Sequence, residues 1–340
     1  MLSIGNVEVI SPLVLAPMSG ISDLPYRLIN RSFGCGLAFT EMISATALAH
    51  KSKNTLKMLS TTKDDRPLGV QLLGGDPEII KRALDIVNEY AFNIIDFNAA
   101  CPVSKVVSGG KGAGLLREPE KLQKLLKVIV DNTNIPVTVK IRIGWDETSV
   151  NTVELALRAK DAGVRGLFIH GRTKKQGYSG TVDYNIIRKV KESLQIPVIA
   201  SGDALTSALI RKLFDETGCD GVAIARGALG NPWIFRETVE HLKTGAVTCS
   251  PDVYEITQTM KEHLTLNIAF HGENIGVIHF RKFFAWYARG MAVKELKGRA
   301  FRAVTRDDML RLIDELQSLP VECHSCGNRN PNSLPLQTRN

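Results

Sequence analysis

Eight short, almost uninterrupted apolar runs, each followed by an amphipathic stretch, limit what this chain of 340 residues can fold into. They lie at residues 11–20, closed by Pro and Gly, and at 37–42, 67–75, 92–97, 136–142, 166–170, 196–201 and 219–225. A strand with one wet face alternates apolar and polar residues, whereas a continuous run implies that both faces are covered. Strands that alternate with helical patterns therefore predict a parallel sheet with helices packed outside it. The helical patterns fall at 22–32, with Ser22 or Asp23 as cap and Pro25 in the first turn, and at 45–57. Asp76-Pro77-Glu78 opens another over 79–89, and 119–132 carries Leu122, Leu125, Leu126 and Ile129 on one face. Further helices are predicted at 148–162, 183–194 and 205–216. A doubly wound sheet is the competing architecture, but eight repeats over about 230 residues fit a (β/α)₈ TIM barrel of the α/β class better.

After Gly230-Asn231-Pro232-Trp233 the texture changes. Residues 254–319 are helical in pattern throughout, as at Ile268, Ile275, Ile278, Phe283, Phe284, Trp286 and Tyr287. The expected organisation is a barrel over 1–245, a small all-α domain over 246–320 and a polar, poorly ordered tail over 321–340.

Composition narrows the function classes. A hydrophobic fraction of 44% and a charged fraction of 23% are those of a soluble globular protein. No apolar run approaches the ~20 residues that span a bilayer. The first residues lack the basic and apolar regions of a signal peptide, so a cytoplasmic setting is expected. The formal net charge of +8 points towards a polyanionic partner, although charge alone favours the plainer reading of a generally basic surface. Six scattered cysteines suit a reducing compartment rather than a disulfide framework. Cys323-His324-Ser325-Cys326 has the spacing of half a zinc site, but without a second pair of ligands it reads as an inert tail feature.

In such a barrel the active site lies at the C-terminal ends of the strands. Those tips carry Pro17 and Met18; Glu41; Gln71; Asn98 and Cys101; Lys140 and Arg142; His170 and Arg172; Ser201, Gly202 and Asp203; Arg226 and Gly227. No acidic cluster or His-rich set among them resembles a metal site. Each has a bland reading alone, because barrel rims are wet; together on one rim they point to a site. A lone cysteine is more often a small core residue than a catalyst, but Cys101 ends a buried strand beside a Gly-rich, basic loop expected to be mobile, residues 109–114. That loop is not a Walker motif, since Gly112 follows Lys111, and its glycine spacing is not the Rossmann one. The turns after the seventh and eighth strands, Ala200-Ser201-Gly202-Asp203-Ala204 and Ala225-Arg226-Gly227-Ala228, have the composition of a phosphate site. Lys140 suits a flavin, because a fixed cation at the N1/O2 edge stabilises the anionic reduced ring; a rim salt bridge, for instance with Glu41, is the alternative.

Six segments carry a resemblance: Ala16-Pro17-Met18, Val70-Gln71, Asn98-Ala99-Ala100-Cys101-Pro102 with Lys105-Val106, Val139-Lys140-Ile141-Arg142, His170-Gly171-Arg172-Thr173 with Gln176-Gly177-Tyr178-Ser179-Gly180, and Ala225-Arg226-Gly227-Ala228 with Pro232-Trp233. In this order and spacing they resemble the tRNA-dihydrouridine synthases, closest to the bacterial B-type branch, from Ser11 to about Phe301. The resemblance implies an FMN-containing barrel, a helical tRNA-binding domain, a monomer, and NADPH (or NADH) driving reduction of a tRNA uridine, with the D-loop as the expected place. It implies Cys101 as proton donor and places FMN against Pro17, Met18, Ser19, Gln71, Lys140, the Ser201-Gly202-Asp203 turn and the Ala225-Arg226 pair, with His170 as a further flavin contact. Asn98, Lys105, Arg142 and Arg172 are the substrate-side candidates. Four positions depart from the family pattern: the usual Gly-Asn-Gly-Asp turn reads Ala200-Ser201-Gly202-Asp203, and Ala100 and Ala225 replace glycine. FMN is still expected to bind, because backbone amides do not depend on side-chain identity.

The chemistry fits these residues. Uracil C6 is the β-carbon of an enone, so hydride adds there and C5 then needs a proton. A thiol can supply it if it stays protonated, so the pKa of Cys101 should not be strongly depressed. A stacked base cannot reach such a pocket, and extrusion is cheapest from a flexible tRNA loop. One rival is a small-molecule flavin oxidoreductase of the dihydroorotate or dihydropyrimidine dehydrogenase type, which needs no basic helical appendage. Another is a non-enzymatic RNA-binding protein on a decayed barrel, against which the intact Cys101, Lys140, His170 and Arg226 argue.

Overall fold

The computed structural model describes residues 2–247 and 250–319. Strands β1 (Leu2–Ile4) and β2 (Val7–Val9) form an antiparallel hairpin. Eight parallel strands then follow: β3 (Leu13–Leu15), β4 (Leu37–Ser44), β5 (Leu68–Leu73), β6 (Ile94–Ala99), β7 (Val137–Arg142), β8 (Gly166–His170), β9 (Val198–Ser201) and β10 (Gly221–Ile224). Each pairs with the next, and β10 returns to β3, so the sheet closes into a barrel. Closure removes the doubly wound alternative.

Residues two apart on a strand share a face, and this divides the barrel into two apolar compartments. Outward residues such as Ile95, Phe97, Val139 and Ile169 join the core beneath the surrounding helices. Inward residues Val14, Phe39, Ile94, Phe168, Ile199 and Ala223 fill the lumen, and Leu2, Ile4 and Val9 of the hairpin pack into the same cluster. The hairpin was not expected from sequence. Phe39 meets Phe168 edge-on at 5.3 Å between centroids, and Gly69 makes room for it, since a Cβ there would lie 2.2 Å from the ring. Further along the strands the inward face turns polar, with Gln71, Asp96, Asn98, Thr138, Lys140 and Arg142.

The outer helices form where capping and apolar periodicity agree. Asp23, rather than Ser22, caps Leu24–Ser32 by accepting from the Tyr26 N–H, and Asp76 caps Pro77–Val87. Pro119–Asp131, Thr152–Asp161, Tyr184–Ser193, Ser207–Thr217 and Ile234–Thr244 complete the ring. The single helical stretch expected over 45–57 is two short helices, Ala45–Ala49 and Lys53–Met58, separated where Lys51 takes a positive φ of 53°. No helix among the described residues is long and apolar enough to cross a membrane.

Helices Val253–His271, Glu273–Tyr287, Lys294–Ala300 and Arg306–Ser318 make up the all-α unit. Its core is continuous with that outside the barrel. Tyr26 stacks on Phe283, and Trp233 meets Tyr287 edge-on. Gly230 lies so close to the Trp286 backbone that a Cβ would come within 2.3 Å of its carbonyl carbon. Ile275 and Ile278, read from sequence as part of the apolar pattern, are exposed. The tail expected over 321–340, with Cys323 and Cys326, lies outside the described residues, as does Cys249.

A polar clasp ties this unit to the barrel rim. His271 Nε2 lies 2.8 Å from Asp23 Oδ2, and His279 Nε2 lies 3.2 Å from the Gly20 carbonyl. Lys282 donates to the same carbonyl, while Glu41 accepts from the Gly20 N–H. Asp23, His271 and His279 sit close enough to hold a metal ion, but the Lys282 ammonium lies 2.8 Å from His279 Nε2 and supplies a positive charge there already. The strand-tip inventory did not include these histidines because they come from the helical unit.

Burial pushes His263 down to about 3, and burial with the nearby Lys282 charge pushes His279 down to about 4. Both values are below the ordinary 6.5, so the unfolded chain takes up protons first, and stability held above pH 6.5 is lost as pH falls towards 4. Each histidine is expected to cost about 2 kcal/mol by pH 5. Asp96, raised to about 6, works in the opposite sense by about 1 kcal/mol over that window. Thermal melting should therefore occur at a clearly lower temperature at pH 5 than at pH 7.5; equal melting temperatures would show that these histidines are not held neutral in the fold.

Candidate active site

Register places the polar tips side by side. Gln71 pairs with Asp96, Asp96 with Thr138, and Asn98 with Lys140. Arg142 pairs with His170, and His170 with Ser201. The residues drawn from five successive strands thus converge on one end of the lumen.

Cys101 follows β6 in a turn fixed from three sides. Asn98 Oδ1 accepts from the N–H groups of Ala100 and Cys101 at 3.1 and 2.9 Å. Arg142 Nε donates to the Ala100 carbonyl at 2.8 Å, and the Ala113 N–H donates to the Cys101 carbonyl at 3.0 Å. Gly112, at a φ of +54°, packs so closely that a Cβ would lie 2.8 Å from that carbonyl. The segment expected as a mobile loop is ordered differently: Ser104–Ser108 is a short helix and Gly112–Arg117 a 3₁₀ turn whose residues 112–116 are buried. The carbonyl of Cys101 and the apolar Leu115 and Leu116 account for this, since glycine composition alone does not reveal what a segment packs against. The thiol is half-buried, and burial raises its pKa, so it remains protonated at neutral pH as the proposed chemistry requires.

Lys140 donates to Ser201 Oγ at 2.9 Å, and Ser201 in turn donates to the Ile169 carbonyl at 3.1 Å. The serine that replaces the usual asparagine therefore receives the lysine. Burial pushes Lys140 down to about 8, which leaves it mostly charged at neutral pH. The salt bridge from Lys140 to Glu41, the alternative sequence reading, is not formed; Glu41 holds Gly20 instead. His170 has its pKa well below the ordinary value through burial and four nearby cations, so its ring is neutral. Its Nδ1 lies 3.5 Å from Ser201 Oγ, while its buried Nε2 has no partner among the described residues. A buried ring nitrogen without a partner is costly unless a ligand completes it. The lysine, the neutral histidine and that nitrogen fit the edge of a flavin.

Asp203 joins the two phosphate-type turns. Its carboxylate is gripped by Arg172 at 3.0 and 2.5 Å, and Arg226 Nη2 lies 3.5 Å away. Two cations outweigh its negative charge, as an anion site requires. Gly227 is pressed against the Ala204 carbonyl, where a Cβ would come within 2.1 Å, so the second turn can pack on the first only with glycine. Pro17 and Met18 are half-buried and Ser19 is exposed at the tip beyond β3; Ala225 is half-buried beyond β10.

The substrate-side candidates separate. Asn98 is buried and holds the Cys101 turn, and Lys105 is exposed on the following short helix. Arg142 and Arg172 are both buried. Arg142 donates to the carbonyls of Ala100, Thr173 and Gly177; Arg172 donates to Ser179 and Gly180 as well as Asp203. Their guanidinium groups therefore fasten the 173–180 loop. Half-exposed Tyr178 stands on that loop with the Arg142 and Arg226 guanidinium carbons 5.5 and 5.2 Å from its ring centre. It lies in one of the family-like segments, and the strand tips alone do not reveal it. Asp96 and Thr138 were also missed, although Asp96 and Asn98 are two apart on one strand and must share a face.

The family model described as "Dihydrouridine synthase (Dus)" matches residues 14–320. A probable tRNA-dihydrouridine synthase of Rickettsia conorii is 38% identical over 292 residues, covering 86% of this chain and 88% of its own. The tRNA-dihydrouridine synthase B of Pseudomonas putida is 36% identical over 301 residues, covering 88% of each chain. The solved structure of histamine dehydrogenase from Rhizobium sp. 4-9 shares the fold at a TM-score of 0.55 and 12% identity, over 78% of this chain and 50% of that one.

Proposed function

The chain belongs to the dihydrouridine synthase family, and we propose how its residues divide the work of reducing a tRNA uridine. It is a tRNA-dihydrouridine synthase, a flavin-dependent oxidoreductase acting on tRNA. The single observation that carries the residue assignment is Cys101, protonated and fixed in its turn, on the same rim as Lys140 and the unpartnered His170 Nε2.

We read the flavin as FMN, held by Pro17, Met18, Ser19, Gln71, Lys140 and His170, with its phosphate at Ser201, Gly202, Asp203, Ala225 and Arg226. When bound, it supplies the hydride that adds at C6 of the uracil ring. Lys140 and neutral His170 offer hydrogen bonds without a second full charge. Cys101 gives its proton to C5, and the thiolate recovers one from water. Asn98 holds the thiol's turn, and Lys105 faces the solvent where a tRNA phosphate can meet it. Arg142 and Arg172 act from within, keeping the loop that carries Tyr178 against the site. The reductant is read as NADPH, and the working form as a cytoplasmic monomer, on family likeness. The helices from residue 253 onward are assigned to tRNA docking, which a small-molecule flavin enzyme would not need.

FMN is expected to copurify, giving a yellow protein that forms dihydrouridine in unmodified tRNA when NADPH is added. Mass spectrometry of the digested tRNA reads the product. A colourless preparation that FMN cannot reconstitute would overturn the cofactor assignment, and a yellow one without product on any tRNA would overturn the substrate.

A further inference from the structure

Asp96 lies wholly buried on the inward face of β6, between Gln71 of β5 and Thr138 of β7. Its Oδ1 accepts from Thr138 Oγ1 at 2.7 Å and its Oδ2 from Gln71 Nε2 at 2.7 Å. Gln71 Oε1 then accepts from Asn98 Nδ2 at 2.8 Å, and Asn98 Oδ1 accepts from the Ala100 and Cys101 N–H groups.

Every link in this chain has a direction. A carboxylate has no proton to give, so Gln71 must turn its NH₂ towards Asp96 and its oxygen towards Asn98. Asn98 must then present its own NH₂ to Gln71, which leaves its oxygen for the turn at Cys101. Both side-chain amides are nearly symmetric in shape, so packing alone selects neither orientation. The carboxylate at one end and the two backbone N–H groups at the other do so together.

We propose that Asp96 is a positioning residue for the proton transfer, acting through Gln71 and Asn98 to hold the turn that presents Cys101. This deepens the reading of Cys101 as proton donor and rests on it. Burial raises Asp96 to about 6, still below neutral pH, and the adjacent Lys140 charge favours the ionised form. The residue is therefore mostly a carboxylate under working conditions. It touches neither the thiol nor any group assigned to the substrate, but it bonds Gln71 and faces Lys140, both assigned to the flavin, so its part in presenting Cys101 is read as the loss in reoxidation beyond any loss in flavin reduction.

Two substitutions separate this role from bulk structure and from charge. Asp96→Leu keeps the approximate shape and removes the acceptor. Asp96→Asn removes the charge but keeps one acceptor for Gln71, because its NH₂ can point to Thr138, whose hydroxyl can accept. In purified flavoprotein, flavin reduction by NADPH is expected to stay within about threefold for both variants, while reoxidation of the reduced enzyme by tRNA falls about tenfold or more in Asp96→Leu and largely recovers in Asp96→Asn. Peptide-resolved alkylation of Cys101 against pH, done without tRNA, should be altered in the leucine variant and near native in the asparagine one.

Three results would overturn the inference: native reoxidation in Asp96→Leu, equal loss in both half-reactions, or an asparagine variant as impaired as the leucine one. The last would assign Asp96 to pairing with the Lys140 charge. If Asp96→Leu does not yield folded protein, Asp96→Ala, which leaves room for water, takes its place with the same outcomes. Cys101→Ala, run alongside, keeps the two readings apart: normal turnover in that variant would refute the proton-donor assignment whatever Asp96 does.

Discussion

Cys101→Ala is expected to remain a yellow protein that NADPH reduces, yet to lose turnover on tRNA by roughly 10²–10⁴-fold, the usual contribution of a positioned acid. The geometry gives each half of that expectation a cause. The cysteine's turn is held by Asn98, Arg142 and Ala113, so removing one sulfur leaves those hydrogen bonds intact. The groups assigned to the flavin belong to other strands and the turns that follow them, so cofactor binding should persist. What is lost is the only half-buried thiol among the described residues, since the Cys35 and Cys219 thiols are buried and donate to the Leu37 and Leu213 carbonyls. Stopped-flow reduction by NADPH, followed by mixing with tRNA, measures the two steps separately. Near-normal dihydrouridine formation by the variant would remove Cys101 from the mechanism.

That cysteine could be found in the sequence because parallel barrel strands are buried on both faces. Their apolar runs stand out, and the residue types that interrupt them mark the tips. The same logic located Gln71, Lys140, His170 and Arg226. It did not show what the tip residues bond to. Arg142 and Arg172 read as substrate cations because sequence gives charge but not burial; in the fold they are buried and satisfy backbone carbonyls of the 173–180 loop. The Asp96 chain needed the register between β5, β6 and β7, which no single run encodes. The β1–β2 hairpin escaped because its strands are only three residues each, too short for periodicity to register. Helical periodicity likewise picked out Phe283 and Phe284, which are core, but did not show that Tyr26 of the barrel would stack against Phe283.

The structure also redirects the expectation for tRNA docking. From sequence, Arg281, Lys282 and Arg289 stand out because a single acidic residue, Glu295, offsets the cations of 281–302. In the fold Arg281 holds the Ala303 carbonyl with two N–H groups, Lys282 bonds to Gly20 in the clasp, and Arg299 pairs with Glu315. Replacing the first two would loosen the helical unit as well as remove charge, so a weakened affinity would be ambiguous. Lys294, Arg302 and Arg306 are exposed and follow one another along 294–306. A phosphate contact releases counterions, so each one lost flattens the log–log dependence of affinity on salt by roughly 0.7–0.9. A combined Lys294→Ala, Arg302→Ala, Arg306→Ala protein should therefore bind tRNA more weakly at low salt, with a slope shallower by up to about 2–2.7. The difference from wild type should shrink as salt rises, because the wild-type affinity falls faster. NADPH reduction of the flavin and the melting temperature should stay close to native, since none of the three side chains holds the core. An unchanged salt slope in this folded variant would show that the exposed cations of 294–306 do not meet the tRNA backbone, and would move the docking surface to the part of the rim where Lys105 stands beside the Cys101 turn.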